Sequence, residues 1–130
     1  MVINHHNVGD SHFQLGDWPK AYVAFQRSKE LAEEMGWPRG VVLNEVYMAY
    51  ISAIEGQDGV DRILHATEQA RQLGDAEITT AGSWLAGRFL AEQGMTDAAK
   101  AQLERAMEDA ERWELAPMKA MIRETTQSLA

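Results

Sequence analysis

The sequence predicts an all-α fold of stacked helical hairpins, and three observations predict it: a ruler of glycines, prolines set just beyond it, and one apolar pattern that returns in alternate helices. Gly16, Gly36, Gly56, Gly74 and Gly94 stand at nearly even intervals along the chain. The stretches between them are rich in Ala, Leu, Glu, Gln, Met and Arg, the good helix formers. A glycine just past a helix end supplies the left-handed residue that closes the last turn, so each reads as a stop. Pro19, Pro38 and Pro117 each follow an expected stop and suit a first helical turn, so they read as starts. Six helices of roughly 14 to 18 residues follow, about 21 to 27 Å each at 1.5 Å per residue, with a seventh from about Pro117. No room is left for a sheet.

The first helix carries Val8, Gly9 and His12, and the matching residues one and two repeats further on are Met48, Ala49 and Ser52 in the third helix and Ala86, Gly87 and Leu90 in the fifth. A glycine or alanine in mid-helix gives up propensity or packing volume and gains close approach of a second helix axis. The second helix turns Ala21, Phe25, Ser28, Ala32 and Met35 inward; the fourth Gly59, Ile63, Ala66, Ala70 and Leu73; the sixth Ala99, Leu103, Ala106, Ala110 and Trp113. All three sets step by four, three, four and three, which keeps one helix face turned to a neighbour.

A single domain over residues 1–130 therefore divides into repeat one at about 3–36, repeat two at about 39–74, repeat three at about 76–114 and a cap at about 117–130. The step from Gly56 to Gly59 is shorter than those from Gly16 to Ala21 and from Gly94 to Ala99, which predicts the shortest internal turn in repeat two. The last helix has a narrow apolar stripe of Met118, Met121, Ile122, Thr125 and Leu129, and reads as a solvating lid over the flank of the third hairpin. The N-terminal hairpin has no lid of its own. That end is expected to belong to a longer chain or to meet another protomer.

Composition narrows the function. The chain has 130 residues, no cysteine, and 12 Lys and Arg against 20 Asp and Glu, a net charge of −8. The missing thiols remove cysteine nucleophiles, thiolate zinc sites and disulfide scaffolds. The negative balance repels phosphate backbones and anionic membranes, so neither nucleic acid nor membrane is an expected partner. With no basic, apolar leader and no spanning apolar run, a cytoplasmic location is expected.

The segment Gly16-Asp17-Trp18-Pro19-Lys20-Ala21, followed by Phe25, Ser28 and Leu31, resembles the turn and second helix of the tetratricopeptide repeat, and Val8-Gly9 resembles that family's Leu-Gly pair. Leu85 to Gly94, followed by Ala99, Leu103 and Ala106, resembles it nearly as well, while the middle unit is degenerate. The resemblance covers about residues 3–113. It departs from the family in a repeat longer than the usual one and in His5, Glu45 and Ser83 standing where a large aromatic is usual. The lengthened second helix, as in Ser28 to Gly36, is similar to the helical sensor domains of bacterial ATP-dependent transcription activators and of peptide-responsive phosphatases.

This resemblance implies a right-handed α-solenoid of three hairpins plus a C-terminal capping helix, with a groove lined by the first helix of each unit. The implied groove positions are Ile3, His6, Asp10, Phe13 and Gln14; Leu43, Val46, Tyr50, Ala53 and Ile54; and Ala81, Trp84, Arg88, Ala91 and Glu92. A short peptide or partner helix would dock its apolar side chains over Val46, Tyr50, Ile54 and Trp84, while Asp10 and Arg88 hold its polar ends. Tyr50 and Trp84 also suit simple space filling between units. Gly9, Ala49 and Gly87, with Ala21, Phe25, Ala99 and Leu103, are the expected crossing contacts.

Other candidates read as structural. His5, His6, His12 and Asp10 form the one cluster that suggests metal, but His5 and His12 lie about 10 Å apart along a helix. Trp18, Trp37 and Trp113 fall at helix ends, where flat rings seal hairpins. No phosphate loop, nucleophile elbow or paired metal-binding histidines occur, so no enzyme activity, metal or cofactor is expected. The expected function is a non-catalytic protein- or peptide-binding module, the sensor or scaffold part of a larger regulator. Homodimerisation through the uncapped first hairpin is the alternative.

Overall fold

A computed structural model of the chain describes the backbone of residues 2–129 and the side chains of residues 4–129. Ile3, one of the expected groove positions, lies outside the described side chains. Among the described residues the fold is all-α, with seven helices and no strand. They are α1 (Val2–Gln14), α2 (Trp18–Glu34), α3 (Pro38–Ile54), α4 (Val60–Gln72), α5 (Ala76–Glu92), α6 (Thr96–Arg112) and α7 (Ala116–Gln127).

The glycine ruler is visible in the backbone. Gly16, Gly36, Gly56, Gly74 and Gly94 have φ between 65° and 77°, the left-handed conformation that ends a helix. The next slot of the ruler, beyond Gly94, is held by Glu114, the one non-glycine residue with positive φ among the described residues, at 56°. Pro19, Pro38 and Pro117 occupy first-turn positions of α2, α3 and α7, where no hydrogen bond of their nitrogen is lost. Asp17 and Asp75 cap α2 and α5 by accepting from the backbone nitrogens of Lys20 and Ile78.

Each helix packs on the next, and α3 also packs on α5 and α5 on α7. Side chains link α1 to α3: Phe13 meets Tyr47 and Tyr50 edge-on or tilted at 5.3 and 5.6 Å between centroids. Thus α1 touches α3, α3 touches α5 and α5 touches α7. The hairpins close through their small residues. A Cβ on Gly9 would stand 2.7 Å from the Phe25 ring, and one on Gly87 would stand 2.7 Å from Leu103 and 3.3 Å from the Ala99 carbonyl. Ala49 at the equivalent place in α3 is fully buried, as are Ala21, Phe25 and Ala99. Gly82 makes a further close approach, to Thr67 of α4.

Three expectations are corrected. Repeat two has the longest internal turn of the three, residues 55–59, because α4 starts only at Val60, well past Gly56, whereas α2 and α6 start at Trp18 and Thr96, close behind their stops. Asp58 there accepts from Ser52 Oγ at 2.7 Å and from Arg62 at 3.2 Å, and Gly59 is an extended N-cap, so the turn has its own bonding and the helix starts late. The last member of each inward set, Met35, Leu73 and Trp113, is a C-cap residue and exposed. The other members of the α2 and α6 sets are buried, as are Ile63, Ala66 and Ala70 of α4; Gly59, the N-cap at the other end of α4, is exposed. Trp113 is 55% exposed and seals nothing, its ring facing the Arg112 guanidinium at 5.5 Å.

Candidate functional site

A cavity of about 580 Å³ lies where α1, α5 and α7 come together. Gln14 at the end of α1 and Trp84, Arg88, Ala91 and Glu92 of α5 line it from two directions. The third wall is α7 and its C-cap, with Met121, Glu124, Ser128 and Leu129. The lining residues from α1 and α5 are all implied groove positions. Glu124 and Ser128 lie one full repeat beyond Trp84 and Arg88, so the same helical positions supply the α7 wall. Continuing the repeat by one more step would have found them; reading the last helix only as a lid hid them.

Arg88 organises the floor. Its guanidinium carbon lies 5.2 Å from the Tyr50 ring centre, 5.5 Å from Phe13 and 5.7 Å from Trp84, so one cation rests on rings from α1, α3 and α5. Its Nε is 3.6 Å from Glu92 Oε1, and that same oxygen accepts from the Tyr50 hydroxyl at 3.0 Å. Burial pushes the Tyr50 phenol far above its ordinary range, so it remains a donor to Glu92. Trp84 Nε1 donates to Thr125 Oγ1 at 2.9 Å, and Thr125 donates in turn to the Met121 carbonyl at 3.2 Å, which ties α7 to α5.

Several implied groove residues are placed otherwise. Val46 and Tyr50 are fully buried, and Phe13 and Trp84 nearly so. This corrects the expectation that a ligand would rest its apolar side chains on Val46 and Tyr50. Arg88 lies over Tyr50 and Phe13, and their rings pack on Trp18, which leaves no face free. Trp84 lines the cavity but is only 7% exposed. Ile54 and Asp10 are half-buried outside the cavity lining.

His6 serves the core. Asn44 is fully buried and donates both amide hydrogens, to Ser28 Oγ at 2.9 Å and to the Gly40 carbonyl at 2.8 Å. Its oxygen then accepts from His6 Nδ1 at 2.9 Å, which fixes the proton on that nitrogen. The His6 ring stands 5.2 Å from Phe25 and 5.6 Å from Tyr47, whose phenol burial pushes up to about 12. Among the described residues no three His, Asp or Glu side chains converge as metal ligands, and no helix is long and apolar enough to cross a membrane.

Glu45 stands where the resembled family carries a large aromatic. It accepts from Lys29 of α2 at 3.1 Å and from Arg62 of α4 at 2.8 and 3.1 Å. Burial alone would raise its carboxyl; the bonds from Arg62 and Lys29 outweigh burial and hold it below the ordinary range. Three helices are therefore pinned by charge at a place where the resembled repeats use a ring.

Comparison of the chain with models of protein families, with curated proteins and with solved structures returns no match. The functional reading consequently stands on the geometry and on the resemblance carried by the repeat.

Proposed function

We propose that the chain is a non-catalytic peptide- or protein-binding module: a right-handed α-solenoid of three tetratricopeptide-like hairpins with α7 as capping helix, holding its partner on the side formed by α1, α3, α5 and α7. The observation that carries this reading is the cavity where α1, α5 and α7 converge, at the positions the repeat assigns to a groove. A volume of about 580 Å³ suits a side chain with its flanking backbone, within the size range usual for ligand sites. A place in a larger regulator and a cytoplasmic location belong to the same proposal.

Two regularities support a constant step between units. A cavity lined by Glu33, Gly36, Trp37, Gln69 and Leu73 has a counterpart lined by Arg71, Gly74, Asp75, Asp109 and Trp113, each residue one repeat further on. Gly87 of α5 packs against Leu103 of α6, and α7 carries the exposed Arg123, Thr126 and Gln127 one repeat beyond Ser83, Ala86 and Gly87. Long polar side chains there favour water over a further helix, as a cap requires.

Filling the cavity tests the proposal. Peptides selected from a random display library against the full chain are expected to lose at least about tenfold in affinity to Ala91→Trp or to Ser128→Trp. Unchanged affinity in both folded variants contradicts it.

Self-assembly through the first hairpin is favoured by Val8, Leu15 and Val23, which are exposed. The rest of that face speaks for solvent. Asn44, Met48 and Ile51 are buried in the second unit, while their counterparts on α1 are Asn4, Val8 and Ser11, two of them polar and all exposed. A chain that sediments as a monomer at all concentrations rejects self-assembly.

A further inference from the structure

We propose that the cavity between α1, α5 and α7 takes a cationic side chain, lysine or arginine, presented by a peptide; the proposal rests on the peptide-binding reading above. Three features of its wall select positive charge. The first is that three helices end there. Gln14 is the last residue of α1, Glu92 the last of α5, and Glu124 and Ser128 belong to the last turn and C-cap of α7. A helix C-terminus carries about half a negative elementary charge. Neither α5 nor α7 places a basic residue in its last turn to offset it.

The second feature is an excess of carboxylate. Glu92 and Glu124 line the cavity, and the one cation among the lining residues is Arg88. That guanidinium is already matched: Glu92 stands 3.6 Å away and the rings of Phe13, Tyr50 and Trp84 lie beneath it. The Glu124 side chain has no ion pair or hydrogen bond and is exposed at the rim. An acidic ligand would gain Arg88 but would face both carboxylates and all three helix ends. A cationic one gains Glu124 and the helix ends together, while Glu92 offsets the charge of Arg88.

The third feature is the apolar part of the wall. Trp84, Ala91, Met121 and Leu129 offer a surface to the alkyl stem of a long basic side chain, which lies along apolar groups while its head reaches a charged partner. The net charge of −8 adds long-range attraction for such a segment.

Two display pools of short random peptides test this, one with lysine or arginine and one with aspartate or glutamate fixed at the central position. Both are selected against the full chain, and the recovered peptides are titrated by fluorescence anisotropy. The cationic pool is expected to yield binders at least about tenfold tighter than the acidic pool. Their affinity is expected to fall several-fold in Glu124→Gln and to fall further with added salt. Glu124 is exposed, so this substitution leaves the packing intact, which circular dichroism verifies. Equal or tighter binders from the acidic pool overturn the charge assignment and leave the peptide-binding reading standing. Cationic binders indifferent to Glu124→Gln overturn it too, because they sit elsewhere on an acidic surface. No binder from either pool overturns both the assignment and the reading beneath it.

Discussion

Glu114 occupies a left-handed backbone position that glycine fills at the five preceding stops. A side chain there brings Cβ against the following carbonyl, a strain of about 1–2 kcal/mol, partly offset by the lower unfolded-chain entropy of a non-glycine residue. Glu114→Gly is therefore expected to stabilise the fold by about 0.5–1 kcal/mol in urea unfolding. Gly87→Leu has the opposite sign, since a Cβ alone would come within 2.7 Å of Leu103. Overpacking of this kind costs about 1–3 kcal/mol, read as a lower denaturation midpoint with an unchanged slope. At this scale the sequence is legible wherever a residue type is dictated by local backbone, as at the glycine stops and first-turn prolines. It is not legible where a side chain acts across units. Nothing in the spacing of Arg88 says that its guanidinium settles on rings from three helices and closes Tyr50 off from any ligand.

Among the elements, the first and second units are joined in part by charge. Glu45 of α3 ties α2 to α4 through Lys29 and Arg62, an arrangement that depends on its ionisation. The folded state holds this carboxyl below its ordinary range. As pH falls, the unfolded chain takes up the proton first, so the stabilisation is full above the usual glutamate range and is lost as pH drops through the folded-state value. Glu45→Gln is expected to cost about 1–3 kcal/mol at pH 7, since it takes the charged partner from partly buried Lys29 and leaves Arg62 its ion pair with Asp58. The difference from the wild type should close below about pH 4, and thermal unfolding across that window measures it. The late start of α4 belongs to this scale as well. Counting from Gly56 to Gly59 treats both as landmarks of one repeat, while the bonds Asp58 makes to Ser52 and Arg62 turn the segment into a loop of its own. The exposed C-cap residues Met35, Leu73 and Trp113 follow from an apolar period that runs one step past the helix end.

For the whole molecule, the C-terminal ends of α1, α5 and α7 come together around one cavity. The α1 and α5 walls were legible, because Gln14, Trp84, Arg88, Ala91 and Glu92 are all positions the resemblance assigns to a groove. The α7 wall was not, since it depends on contacts between units such as the Trp84–Thr125 bond, which ties α7 to α5. Thr125→Val removes that bond while keeping the shape, and is expected to cost about 1 kcal/mol or somewhat more in stability by leaving the indole N–H without its partner. It should also loosen α7 first, which amide hydrogen exchange would report as faster exchange in α7 than elsewhere. Where a bound peptide touches the chain decides between a groove on the odd-numbered helices and any other surface. Amide chemical-shift mapping with a selected peptide is predicted to concentrate its changes at Gln14, Arg88, Ala91, Glu92, Glu124 and Ser128. Changes concentrated on the even-numbered helices instead, with these six positions unmoved, would contradict it.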